Sequence, residues 1–174
     1  MSILAALLAI VAAILGLQAT GEGVSEADGV LPEAVSVFDE GYAGVSRLDP
    51  ALLEAVRRAA TDASGQGVAF HVTSGWRSPH LQEHLLEDAV HTYGSREEAA
   101  RWVATPATSA HVSGEAIDVG GPGATDWLAR HGSAYGLCQI YANEPWHYEL
   151  RPGAADQGCP RMYADATEDP RLRE

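Results

Sequence analysis

The sequence predicts an α+β domain in which a small antiparallel sheet is flanked by helices. Two features of the 174-residue chain support this fold class. Helical segments come first and short strand segments later, without the strand–helix alternation of parallel folds. The length suits one domain, since about 100–200 residues per domain is typical. We therefore expect the folded domain over residues 47–163, with other segments on either side.

The chain begins with a hydrophobic segment over residues 1–20. Residues 2–19 carry no charged side chain, and as a helix they would span about 27 Å, close to the thickness of a bilayer core. A cleaved signal peptide would have a basic n-region, which this segment does not show. We predict export, and favour a retained signal-anchor over a cleaved signal peptide. Residues 21–46, rich in Gly, Ala and acidic residues, are predicted to be an acidic linker and entry segment.

Capping signals locate the helices. Asp49 with Pro50, and Ser78 with Pro79, each combine an N-cap residue with a first-turn proline, and Ser95 begins a capping box. The predicted helices cover residues 49–64, 78–93, 95–103 and 125–131.

The predicted strands are short, apolar or β-branched, and bounded by Gly, Pro or polar residues. They cover residues 68–73, 115–119, 138–141 and 146–150. A loop is predicted over residues 106–114, and a polar tail over residues 164–174.

Composition excludes several functional classes. The formal net charge is −13, and all 11 basic residues are Arg. Because phosphate binding needs a basic face, nucleic acid is not an expected partner. A polybasic patch for anionic lipid is equally unexpected, so membrane contact would come only through the N-terminal segment if it is not cleaved. The lack of Lys also rules out Schiff-base chemistry through a lysine. We expect a monomer.

Cys138 and Cys159 are the two cysteines of the chain. An even number of cysteines in an exported domain indicates a disulfide, and this one would stabilise the fold by about 3 kcal/mol in the chain-entropy model. Two unrelated buried thiols are the alternative. A cysteine-based zinc site is not expected, because no C-x-x-C pair is present.

Seven histidines prompt a search for metal ligands, and two sets stand out. The first set runs from His80 to His84 and fits the H-x-x-E-H pattern of inverted zinc peptidases. Those enzymes need a further ligand far downstream on a larger scaffold, so we favour a solvated helical face. The second set consists of three motifs in order: Ser74-Gly75-Trp76-Arg77-Ser78, then Ser109-Ala110-His111-Val112-Ser113-Gly114-Glu115-Ala116-Ile117-Asp118, then Glu144-Pro145-Trp146-His147.

These three motifs resemble the signatures of the zinc D-alanyl-D-alanine carboxypeptidases and dipeptidases of the VanY/VanX type, and they cover residues 74–150. The resemblance implies a Hedgehog/DD-peptidase-like α+β fold whose small antiparallel sheet carries Zn²⁺. It also implies hydrolysis of peptidoglycan stem peptides, most often with release of a terminal D-alanine. An exported enzyme would meet this substrate in the cell wall or at the extracytoplasmic face of the membrane.

The chemistry of the matched residues agrees with the resemblance. His111, Asp118 and His147 supply two imidazoles and one carboxylate, a three-ligand zinc set that leaves a fourth position for water. Zinc lowers the pKa of such a water towards 7. Gly114 would let the chain turn from the His111 loop into the strand that bears Asp118.

Glu144 is the predicted general base and Arg77 the predicted donor to the oxyanion. Pro145 argues that Glu144 lies in a loop before the strand, which lets it converge with His147. Candidate substrate contacts, for which capping, surface and packing roles are the alternatives, are Ser109, Gln82 and Trp146.

Two other functions share these motifs. One is a peptidoglycan endopeptidase that cuts within the stem peptide or its crosslinks with the same zinc site. The other is a non-catalytic, zinc-stabilised binding domain, as in the Hedgehog-like relatives. The presence of both Glu144 and Arg77 speaks against the second alternative, since a purely structural zinc site needs neither residue.

Overall fold

The computed structural model describes residues 23–172. Within this range the helices are α1 (Ala43–Ser46), α2 (Pro50–Ser64), α3 (Pro79–Tyr93), α4 (Arg96–Ala99), α5 (Ala124–His131) and α6 (Ala154–Gln157). The strands are β1 (His71–Ser74), β2 (Ala116–Gly120), β3 (Leu137–Gln139) and β4 (His147–Leu150). None of the helices in residues 23–172 is both long and apolar enough to cross a bilayer. The hydrophobic segment predicted over residues 1–20 lies outside the described residues.

The strands form a sheet in the order β1-β2-β4-β3, with every neighbouring pair antiparallel. Successive side chains of a strand point to opposite faces. One face of β2 presents Ile117 and Val119 to the main core, where they are buried with residues of α2 and α5. The other face presents Ala116 and Asp118. The predicted fold class is therefore confirmed, and it separates an apolar face from a polar one.

Side-chain caps fix where the two long helices begin. The Asp49 carboxylate accepts hydrogen bonds from the amides of Ala51 and Leu52 at the start of α2, as its N-cap position predicts. The Ser78 hydroxyl accepts from the Leu81 amide at the start of α3. Both helices follow the predicted bounds closely because these contacts lie within one turn.

The shorter elements differ from their predicted bounds. The strand predicted from residue 68 begins at His71, because the Val68 amide still bonds to the Ala63 carbonyl and closes the end of α2. The helix predicted over residues 95–103 ends at Ala99 and continues as turns. The strand predicted over residues 138–141 begins one residue earlier and ends two residues earlier, as Leu137–Gln139, and the strand predicted over residues 146–150 begins one residue later, as His147–Leu150.

The predicted acidic linker is wrong for the part that the structure describes. Val35, Val37 and Val45 are buried in the main core. Val35 also forms a bridge to Val72, so this segment covers the outer edge of β1. We call residues 23–42 the N-terminal strap. Its apolar residues are too sparse for a periodic pattern, which is why the sequence indicated a linker.

The predicted polar tail is also wrong over residues 164–172. Asp165, Ala166 and Asp169 are buried, and Arg171 reaches Glu149 on β4. We call residues 164–172 the C-terminal segment. Its polar side chains are satisfied by partners distant in sequence, which local composition does not reveal.

Candidate active site

Three of the predicted site residues converge on the polar face of the sheet. Asp118 on β2 lies directly opposite His147 on β4 in the antiparallel register, and His111 comes from the preceding loop. Asp118 Oδ1 lies 3.4 Å from His111 Nε2 and 3.1 Å from His147 Nδ1. All three residues are buried, and one donor atom from each lies within 4.8 Å of the others.

Hydrogen bonds orient both imidazoles. His111 Nδ1 lies 2.8 Å from the Gly75 carbonyl oxygen, which can only accept, so this nitrogen carries the proton and Nε2 faces Asp118. His147 Nε2 lies 3.3 Å from a Glu149 carboxylate oxygen, which leaves Nδ1 to face Asp118. A metal-ligating histidine commonly donates its other ring N–H to a carbonyl or carboxylate in this way.

The donor set fits zinc. Zinc favours imidazole nitrogen and carboxylate oxygen, and donors at about 2.0–2.1 Å in a tetrahedral arrangement lie roughly 3.3 Å apart. The spacings of Asp118 Oδ1 from the two imidazole nitrogens, 3.4 and 3.1 Å, match this value. Burial alone would raise the pKa of Asp118, but His111, His147 and Arg77 hold it well below its usual value. The carboxylate is therefore ionised, as a ligand must be.

The turn into β2 depends on Gly114. Its φ is +79°, a left-handed conformation that disfavours other residues, and an added Cβ would lie 2.6 Å from the Arg47 carbonyl oxygen. The Gly114 carbonyl accepts from the Asp49 amide, which ties the loop to the start of α2. The predicted role of Gly114 in the chain reversal agrees with this geometry.

Glu144 lies in the turn before β4, as Pro145 led us to expect, and is 7% exposed. One of its carboxylate oxygens lies 3.9 Å from His147 Nδ1. Burial raises the pKa of Glu144 to about 7, against the opposing effect of nearby His147. A buried carboxyl group thus adjoins the three potential ligands without sharing their close contacts.

Arg77 follows β1 and is committed to partners inside the protein. Its guanidinium donates to Ser74 Oγ at 2.8 Å, to Gln82 Oε1 at 3.1 Å and to Asp118 Oδ2 at 3.0 Å. Asp118 therefore uses one oxygen towards the imidazoles and the other towards Arg77. This arrangement makes Arg77 a support for Asp118 in addition to any role as an oxyanion donor.

A family model described as VanY, D-alanyl-D-alanine carboxypeptidase, matches residues 45–152. The chain belongs to this family.

A curated relative agrees with this assignment. The chain is 30% identical to a D-alanyl-D-alanine carboxypeptidase of Enterococcus faecalis over 111 residues, a match that covers 49% of this chain and 41% of the relative. It therefore spans less than half the length of that curated relative.

Solved structures share the fold. VanY from a VanB-type resistance cassette, in complex with Zn(II), matches with a TM-score of 0.58 and 25% identity, over 63% of this chain and 76% of that one. VanYB in complex with D-alanine-D-alanine matches with the same score and identity, over 64% and 78%. The LdcB LD-carboxypeptidase, 22% identical, has a TM-score of 0.56 over 74% and 70% of the two chains.

In this VanY-family chain a cleft of about 550 Å³ lies over the three ligand candidates. Its polar floor contains Arg77 and Glu144 in addition to the ligand candidates. One wall is apolar and comes mainly from α3 and the segment that follows α4. Residues 29–31 of the N-terminal strap also line the cleft, so a segment outside the family match helps to shape it.

The candidate substrate contacts all line this cleft, but they differ in how exposed they are and in the partners that their side chains have within the protein. Ser109 is buried and Trp146 half-buried. Gln82 is 1% exposed, and its amide accepts from Arg77 and donates to the Ala104 carbonyl. This geometry favours a supporting role for Gln82 over direct substrate contact.

Two further sequence predictions concern the cysteines and the first histidine set. Cys138 and Cys159 form a disulfide, as predicted. His80 and His84 face Asp28 and Asp88 instead of a common metal position, and among residues 23–172 the metal-type cluster is the one at Asp118.

Two residues near the VanY-family site were not among the residues predicted from the sequence. Glu149 faces His147 from the same side of β4, a position that the two-residue strand period indicates once His147 is placed. Arg171, which contacts Glu149, comes from the C-terminal segment, and no local signal linked it to the site.

Proposed function

We propose that this chain is a zinc-dependent D-alanyl-D-alanine carboxypeptidase that releases the terminal D-alanine of peptidoglycan stem peptides. The observation that carries the proposal is the buried Glu144 carboxyl beside His111, Asp118 and His147 in one cleft. Membership of the VanY family and the D-alanine-D-alanine bound by VanYB support this substrate class.

His111, Asp118 and His147 would hold the ion. When bound, zinc supplies Lewis-acid polarisation of the scissile carbonyl and acidifies a water molecule. Asp118 supplies the negative charge of the ligand set, and its second oxygen is held by Arg77.

Glu144 is the proposed proton carrier. One of its carboxylate oxygens accepts a proton from the attacking water as the new C–O bond forms, and the same group delivers that proton to the amine nitrogen as the C–N bond breaks. Its position in the turn before β4, 3.9 Å from His147 Nδ1, lets it adjoin the ligands without occupying a ligand position.

Arg77 is proposed to act on both the ligand set and the substrate. An Arg side chain has five N–H groups, and three are directed at Ser74, Gln82 and Asp118. The others are available for the negative charge that develops on the carbonyl oxygen.

We further propose that the enzyme acts outside the cytoplasm. The Cys138–Cys159 disulfide supports this location, because such bonds persist in oxidising compartments. The stem peptides of the cell wall would then be within reach.

The test compares the wild-type protein with Glu144→Gln, which keeps the shape of the side chain but cannot carry the proton. Purified protein with one equivalent of zinc is incubated with a muramyl pentapeptide that ends in D-alanyl-D-alanine, and the products are identified by mass spectrometry. We expect the wild type to remove one alanine and Glu144→Gln to be slower by about 10²–10⁴-fold, with zinc still bound. An inactive wild type, or an equally active variant, would refute the proposal. Release of a larger fragment would identify an endopeptidase instead.

A further inference from the structure

We propose that Glu149, held in place by Arg171 of the C-terminal segment, is a positioning residue for the metal ligand His147. The inference rests on the zinc site of the proposed function and adds residues that act on it from behind. We call Glu149, Arg171 and Asp169 the C-terminal clamp.

Glu149 faces the rear of the His147 ring. It lies two residues further along β4, on the same face of the sheet, and is 1% exposed. Its Oε1 atom lies 3.3 Å from His147 Nε2. When Nδ1 is a metal ligand, as in the proposed function, the ring proton is on Nε2, and the Glu149 carboxylate, which can only accept, takes the hydrogen bond from it. Ala116, which pairs with Glu149 across β2 and β4, is small enough to leave room for the carboxylate.

Arg171 donates hydrogen bonds to the same carboxylate. Its two terminal nitrogens donate to both Glu149 oxygens, at 2.7 and 3.2 Å. Arg151 adds a third donor at 2.6 Å. A buried carboxylate needs compensating charge and hydrogen bonds, and this one has both. The arrangement keeps Glu149 ionised and holds it at a fixed distance from His147.

Asp169 holds Arg171 in turn. It is fully buried, its two carboxylate oxygens share a bifurcated hydrogen bond from the single Arg171 Nε–H at 3.0 Å each, and it accepts from the Tyr141 hydroxyl at 2.9 Å. A continuous series of charge-assisted hydrogen bonds therefore runs from the C-terminal segment to a metal ligand. Such bonds are shorter and stronger than neutral ones.

The clamp combines residues inside and outside the range that the VanY family model matches. Glu149 lies inside the range that the VanY family model matches, and Arg171 and Asp169 lie beyond its end at residue 152. The C-terminal segment is therefore an addition to the matched domain that reaches its metal site. Its function is to fix the tautomer and orientation of His147, in addition to covering the sheet.

The decisive variant is Arg171→Met, which keeps the stem of the side chain and removes its charge. The matched control is Arg101→Met. Arg101 also fastens the C-terminal segment, through a 2.8 Å contact with Asp165, but it has no contact with Glu149 in the described structure. Both variants loosen the segment, and only the first disturbs the clamp.

Three quantities are measured on each full-length protein: zinc affinity by competition with a chelator, the His147 tautomer by ¹⁵N NMR of the imidazole, and the temperature of unfolding. We expect Arg171→Met to weaken zinc binding by about 10- to 100-fold and to introduce the other His147 tautomer. Arg101→Met should bind zinc within about twofold of the wild type and retain the Nε2–H tautomer, although its unfolding temperature falls.

A second pair of variants guards against a simple loss of folding. Glu149→Gln should also weaken zinc binding, and Arg171→Lys, which restores the charge without the two-pronged geometry, should lie between Arg171→Met and the wild type. Wild-type zinc affinity in Arg171→Met, or an equal loss in Arg101→Met, would overturn the clamp alone. A wild-type protein that does not bind zinc would overturn the proposed metal site as well.

Discussion

Asp118 is the residue that connects the ligand set to the rest of the protein. Its Oδ1 faces both imidazoles and its Oδ2 accepts from Arg77 at 3.0 Å. The two side chains of this ion pair are 13% and 10% exposed, so little water screens or replaces the contact. Loss of the cation would leave a buried carboxylate without its charged partner.

We therefore predict that Arg77→Met lowers the free energy of unfolding by about 3–5 kcal/mol, the usual cost of breaking a buried pair from one side. Urea unfolding measures this loss, and chelator competition measures the accompanying loss of zinc affinity. Arg96→Met is the control, because its contact with Glu83 is long, at 3.9 Å, and exposed on both sides. That variant should change stability by less than about 1 kcal/mol. Equal losses in the two variants would mean that Arg77 does not support Asp118.

At the level of elements, the N-terminal strap carries more of the structure than its composition indicates. Its Asp28 carbonyl and carboxylate accept from the amide and hydroxyl of Ser78, at 2.7 and 2.8 Å, where α3 begins. The next residues line the cleft. The strap thus joins the edge of the sheet, the start of α3 and one wall of the cleft.

Gly29→Ala tests this role. Gly29 has φ +104°, and an added Cβ would lie 2.1 Å from the Trp76 carbonyl oxygen, so the strap must shift away from Trp76 and disturb the part of the cleft that residues 29–31 line. We expect a loss of more than about 1–3 kcal/mol, the usual cost of a strained backbone conformation, and a raised KM for the stem peptide. Gly94→Ala is the matched control: its φ is +84°, but no atom lies within 4 Å of the added Cβ. If the two variants unfold at the same denaturant concentration, the close contact at Gly29 contributes nothing.

The elements also show what the sequence could predict. Helices α2 and α3 were predicted closely because Asp49 and Ser78 cap them through contacts within one turn. Local composition does not predict the structure of the strap or of the C-terminal segment, because both depend on partners distant in sequence. The same distinction holds in the site. The three motifs predicted the convergence of the ligand candidates. The two-residue period of β4 places Glu149 on the same face as His147, so the sequence could also have indicated Glu149. Arg171 is close to the site only because of the fold.

For the whole molecule, the family match at residues 45–152 is a core around which both flanking segments wrap. The N-terminal strap covers the edge of β1, and the C-terminal segment reaches β4 from behind. The Cys138–Cys159 disulfide fixes the start of the second flank to β3, next to β4 in the sheet. A covalent link and the C-terminal clamp therefore restrain the same flank at two points.

Removing the disulfide should show how much each of these two restraints contributes to stability and to zinc binding. The cysteines are 21 residues apart, so the double variant Cys138→Ala/Cys159→Ala should lose about 3 kcal/mol of unfolding free energy, chiefly through a less restrained unfolded chain. Because the clamp has its own anchor at Tyr141, zinc affinity at 25 °C should change far less than in Arg171→Met. Guanidinium unfolding with and without a reducing agent measures the first effect, and the double variant must be insensitive to the reductant. A loss of zinc affinity as large as that of Arg171→Met would show that the disulfide, and not the contact between Arg171 and Glu149, holds the C-terminal segment at the site.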